Sequence, residues 1–96
     1  MRLENKHFSE EEVLEFYENL KGNCMIGRCG NMITFIHTDR IGMAGYCYFT
    51  LSRSKDGKII IGNPKCQISN LFHSKFETMK EAADRFNKYA EKHGLI

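Results

Sequence analysis

Near the C-terminal end, Phe76, Met79, Ala82, Ala83, Phe86, Tyr89 and Ala90 recur at helical spacing behind a Thr78/Glu81 capping box. An apolar stripe of that width must find a second apolar surface to cover it. With 96 residues, the chain has to supply that surface inside one domain. Gly94 stands where the helix would stop.

A second helix start lies near the other end. Ser9 and Glu12 form a capping box, and Phe8 and Val13 occupy the positions of a hydrophobic staple. Val13, Phe16, Tyr17 and Leu20 make one apolar face, and Gly22 is a left-handed stop, so the spacing predicts a helix over about residues 10–21. Between the helices the pattern changes to that of strands. Residues 23–31 hold Gly27, Gly30 and two Cys without helical period and read as a loop or a short irregular strand. Met32–His37 is β-branched and aromatic, and Tyr46–Ser52 alternates, with Tyr46, Tyr48, Thr50 and Ser52 on one side and Cys47, Phe49 and Leu51 on the other. Ser54–Gly57 reads as a hairpin turn leading into the strand Lys58–Ile61. Pro64 ends that ladder, and Ile68, Leu71 and Phe72 are expected beneath the sheet. The expected fold is α+β in the order α-β-β-β-α, a three-stranded antiparallel sheet with both helices on one face, forming a single domain over residues 1–96.

Charge is segregated along the chain. Residues 1–22 carry six carboxylates and three bases, while residues 23–75 carry Arg28, Arg40, Arg53, Lys55, Lys58, Lys65 and Lys75 against Asp39 and Asp56. An acidic first helix and a basic sheet are expected, the latter meeting an anionic partner. No apolar run approaches the roughly 20 residues of a membrane-spanning helix. Residues 1–6 lack the apolar core of a secretory signal, so a cytoplasmic location is expected.

From Gly45 onward, Phe76, Thr78, Glu81, Ala82, Ala83, Phe86, Ala90 and the pair His93-Gly94 follow a strand, a turn at Asp56-Gly57 and a strand ending at Gly62. This half of the chain resembles the plant ethylene-response-factor DNA-binding domain and the arm-binding domains of phage integrases. The resemblance implies three strands backed by a helix, with the sheet laid in the major groove. It also implies that Tyr46, Tyr48, Thr50, Arg53, Lys55 and Lys58 face DNA. Residues 63–75 and the acidic first helix are additions to that pattern. The element order is also that of a double-stranded-RNA-binding domain, but the start of the last helix mixes Glu77, Lys80, Glu81 and Asp84 rather than clustering Lys.

Candidate chemistry is sparse. Cys24, Cys29, Cys66 and His73 are of the types that hold zinc, but their spacings are not those of a knuckle, and His37 and Cys47 are left over. The plainer reading is four buried or loosely exposed thiols, since a free Cys packs as a small apolar residue. A Cys24 or Cys29 nucleophile paired with His37 or His73 lacks any surrounding signature. No catalytic set and no cofactor site is expected, so the chain reads as a binding protein rather than an enzyme.

Two binding readings follow. In the first, nucleic acid is engaged by a basic, Tyr-containing sheet face made of Arg40, Tyr46, Tyr48, Arg53, Lys55 and Lys58, whose rings stack on bases while the cations meet phosphate. In the second, the chain is a phage-type inhibitor, such as an anti-CRISPR protein, that binds a nucleic-acid-processing protein of its host. There the acidic helix stands in for phosphate. A homodimer through a strand edge is compatible with either.

Overall fold

The computed structural model describes residues 6–38, 48–63 and 70–96. Its elements run α1 (Glu10–Asn19), β1 (Cys24–Cys29), β2 (Met32–His37), β3 (Phe49–Arg53), β4 (Ile59–Gly62) and α2 (Met79–Lys92). The class is α+β, as the sequence pattern predicts. The sheet, however, has four antiparallel strands in the order β1-β2-β3-β4 rather than three. The added strand is Cys24–Cys29, joined to β2 by the two-residue turn Gly30-Asn31. Gly30 has φ 61° and Asn31 does not have a positive φ, which suits a type II′ turn with its glycine first. The glycine content that reads as loop is thus partly hairpin chemistry.

Both helices cover one face of the sheet. Ile33 and Phe35 of β2, Phe49 and Leu51 of β3, and Ile59 and Ile61 of β4 turn toward them and are buried. The Phe35 ring meets Phe16 of α1 edge-on at 4.9 Å and Phe86 of α2 at 4.8 Å, and Phe49 meets Phe86 at 4.8 Å. Such edge-to-face pairs add to the burial of the rings themselves. The alternation expected for β3 holds among the described residues, because Phe49 and Leu51 are buried on the helix side and Tyr48 lies on the other.

The helix starts follow the sequence signals, with one difference. At α1 the box is complete: Ser9 Oγ accepts from Glu12 N–H at 3.2 Å and the Glu12 carboxylate accepts from Ser9 N–H at 3.0 Å. Phe8 and Val13 are both buried there. At α2, Thr78 Oγ1 accepts from Glu81 N–H at 3.1 Å, but the Glu81 carboxylate reaches the Glu77 N–H at 3.5 Å instead of closing the box. The far end of α2 closes as a Schellman motif around left-handed Gly94, with Leu95 N–H donating to Ala90 O at 2.8 Å.

A buried amide ties the two helices together at their C-terminal ends. Asn87 Oδ1 accepts from Lys21 N–H at 2.9 Å and Asn87 Nδ2 donates to Asn19 O at 2.8 Å. The Lys21 carbonyl bonds to His37 Nε2 at 3.1 Å, and the imidazole is stacked on Phe86. Lys21 Nζ adds an ion pair to Glu91 at 3.0 Å. Beyond β4, the edge of the sheet is covered by the chain itself. Ile59 and Phe76 exchange two backbone hydrogen bonds, and Leu71 N–H donates to Ile61 O at 2.7 Å. Leu71 and Phe72 pack against the core as expected, while Pro64 and Ile68 lie outside the described residues.

Candidate binding surface

Strand parity decides which side chains share the sheet face turned away from the helices. Met25, Gly27 and Cys29 of β1 oppose Ile36, Thr34 and Met32 of β2, and Thr34 opposes Thr50 of β3. Tyr48 and Ser52 join this row by alternation, as do Ile60 and Gly62 of β4. Among the described residues the β1–β3 part of this face holds no charged side chain, whereas Lys58, just before β4, has the parity of Ile60 and pairs with Glu77. Met25 is 55% exposed, Tyr48 43% and Met32 38%, while Thr34 and Ile36 are half-buried and Thr50 is buried. Around Gly27 the face dips into a shallow depression of about 180 Å³, bordered by Met25, Thr34, Ile36 and Tyr48.

The predicted site residues separate in the structure. Tyr48 belongs to the outer face. Arg53 does not; it opposes Ile59 on the helix side of the sheet. Its Nε donates to His7 O at 2.9 Å, its Nη1 to Gly57 O at 2.8 Å and its Nη2 to the Glu12 carboxylate. The guanidinium also lies 4.9 Å from the centre of the Phe8 ring. These four contacts fasten the start of α1 to the β3–β4 turn, so Arg53 serves the fold rather than a basic outer face. Burial would push the Glu12 carboxyl up, but the Ser9 N–H and the Arg53 charge outweigh it and hold its pKa below the ordinary 4.5.

Lys58 pairs with Glu77, and the contact holds the lysine pKa up and the glutamate pKa down. Lys55 is exposed at the tip of the β3–β4 turn, and Lys75 faces Asp56 at 3.6 Å. Arg40 and Tyr46 lie outside the described residues. Of the six predicted site residues, then, Tyr48 is the one described beside the Gly27 depression, while Lys58 has outer-face parity but is engaged by Glu77.

The cysteine readings resolve in the same way. Cys24 is buried and points to the helix side, where burial pushes its thiol up to about 11. Cys29 is exposed at the far end of β1 and has the opposite parity. Five positions of strand put them about 17 Å apart, so they share neither a metal nor a disulfide. Among the described residues no group of three His, Cys, Asp or Glu could hold a metal ion. Cys47 and Cys66 lie outside those residues.

The acidic character of α1 is concentrated on its solvent side. Glu10, Glu11, Glu15 and Glu18 are exposed around Leu14, itself 45% exposed, and none of the four makes an ion pair among the described residues. No helix of the described residues is long and apolar enough to cross a membrane. Compared with known proteins, the chain matches no family model, no curated protein and no solved structure.

Proposed function

We propose that this chain is a small non-enzymatic binding protein that docks on, and restrains, a protein that processes nucleic acid. The outer face of β1 and β2, with Tyr48, is its contact surface. The observation that carries this reading is the chemistry of that face: Met25, Met32 and Tyr48 stand exposed around a depression, and no described charge lies among them. Methionine and tyrosine on a neutral patch are the composition of a protein-interface centre. A surface for the phosphate backbone is instead built from free Lys and Arg.

The class of partner rests on α1. Its carboxylates at Glu10, Glu11, Glu15 and Glu18 offer repeated negative charge, which suits a protein whose own surface is built to hold phosphate. Direct engagement of nucleic acid through the sheet is the second reading, favoured by the exposed ring of Tyr48 and the exposed Lys55 at the turn.

Photo-crosslinking tests the choice. A benzoylphenylalanine replacing Tyr48 should capture a nucleic-acid-processing protein in extract of the native host. The double variant Met25→Ser/Met32→Ser should abolish capture. Capture that persists undiminished in the double variant refutes the surface. Fluorescence anisotropy with duplex and single-stranded probes tests the other reading. Binding tighter than ~100 µM that weakens steeply with salt would replace the protein partner by nucleic acid.

A further inference from the structure

Two arginines of this fold are held in opposite ways. Arg53 spends its N–H groups on His7 O, Gly57 O and the Glu12 carboxylate. Arg85, exposed on α2, is held by its flat face instead, with the guanidinium carbon over the Phe72 ring at 4.3 Å from its centre. No hydrogen bond or ion pair among the described residues uses its five N–H donors. An arginine anchored in this way keeps its donor fork, and the other face of its plane, for a ligand.

The row continues along α2. Arg85, Lys88, Tyr89 and Lys92 stand at i, i+3, i+4 and i+7 and share one side of the helix. Lys88 and Lys92 are exposed and form no ion pair among the described residues. Tyr89 meets the Phe72 ring at 5.6 Å and the exposed His93 ring at 4.3 Å. The carboxylates of α2 are engaged. Asp84 and Glu91 share the row of Asn87, which faces α1, and they pair with Lys80 and Lys21. Glu81 stands one turn before Arg85, where it accepts from the Glu77 N–H.

We propose that this row, Arg85, Lys88 and Lys92 with the rings of Phe72, Tyr89 and His93, is a contact for single-stranded nucleic acid. Charge complementarity selects a polyanion. The Arg85 fork fits one phosphate, and the two ammonium groups, about 6 Å apart along the helix axis, suit others. The flat groups select nucleic acid over an acidic peptide. Bases stack on guanidinium planes and aromatic rings, whereas carboxylates use the donors alone. The row lies apart from the outer face of the sheet and stands without the reading given to that face. Three cations make a weak site, no tighter than about 100 µM. A docked partner that holds nucleic acid would raise its occupancy by supplying effective concentrations in the millimolar range.

Heteronuclear NMR titration of the full chain at low salt, with oligothymidylate of about twelve nucleotides, tests this. Amides of residues 85–93 should shift, while those of Gly27 and Thr34 stay in place. The logarithm of the association constant should fall with that of salt at a slope of about 2, roughly 0.7 for each cation. Lys92→Gln should reduce that slope by about 0.7. Phe72→Leu keeps every charge, so the slope should hold while affinity falls about two- to fivefold, the size of an exposed cation–π contact. No shift at about 1 mM probe overturns the proposal. So do shifts centred on Gly27 and Tyr48. Hexaglutamate is the control: equal shifts of the same amides by that peptide would overturn nucleic acid as the ligand.

Discussion

Replacing Arg53 separates a fold residue from a binding residue. Its side chain is 22% exposed and makes two hydrogen bonds to backbone carbonyls, one contact to a carboxylate and one to the Phe8 ring. Each carbonyl bond is worth about 1 kcal/mol net, more where the acceptor is left dry. The ring contact adds about 0.5–1 kcal/mol. Glu12 is 39% exposed, so solvent screens that pair and holds its share below about 1 kcal/mol. Arg53→Met should therefore lose roughly 2–4 kcal/mol, lowering Tm by about 10–20 °C in a domain of this size. Glu12→Gln should lose less than about 1 kcal/mol. Arg53→Lys keeps the charge but cannot reach three acceptors from one planar group, so it should recover little.

The assay is urea unfolding followed by far-UV circular dichroism. The Glu12 contribution also has a sign in pH. Its folded pKa is depressed, so the stability is complete above the ordinary carboxylate value of 4.5 and is lost as pH falls through the lower folded one. Arg53→Met should flatten that acid limb. If Arg53→Met unfolds within about 0.5 kcal/mol of the parent chain, the clamp reasoning is refuted. If Arg53→Lys restores full stability, the three-acceptor argument is refuted and charge alone is at work.

Two further outcomes follow from the same geometry. Asn87→Ala should cost about 2–4 kcal/mol, because it orphans the Lys21 N–H and the Asn19 carbonyl in a buried setting; a loss below about 1 kcal/mol in urea unfolding would show that water replaces the amide. Iodoacetamide at pH 8 should label Cys29 and leave Cys24 unmodified in the folded state, since one thiol is exposed and the other is buried with its pKa near 11. Peptide mapping by mass spectrometry reads this directly, and equal labelling would contradict the burial of β1's first residue.

The helices were the legible part of this sequence. Ser9/Glu12 and Thr78 name their own starts because a cap is a contact between residues three apart, which needs no tertiary partner. The inward row of β3 was legible for a similar reason: Phe49 and Leu51 alternate with polar residues, and only one face of the strand is apolar. β1 was not, because Gly27 and Arg28 dilute its pattern. The two-residue spacing of Gly30-Asn31 was the available signal.

The candidate surface shows the same division more sharply. Alternation alone places Arg53 with Phe49 and Leu51, yet counting bases along the chain groups it with Tyr48. Net charge is a property of composition, whereas a charged face depends on which cations are already occupied. Glu12 and Glu77, from the segments before and after the strands, occupy Arg53 and Lys58.

By itself the sequence determined that two capped helices flank a β-rich middle, since caps, turns and periodicity are local interactions. Only the tertiary structure decided that Arg53 fastens α1, that Asn87 joins the helices, and that the depression around Gly27 is bordered by methionine and tyrosine with no described charge. Those outcomes depend on contacts between residues up to 68 positions apart, and no local pattern encodes them.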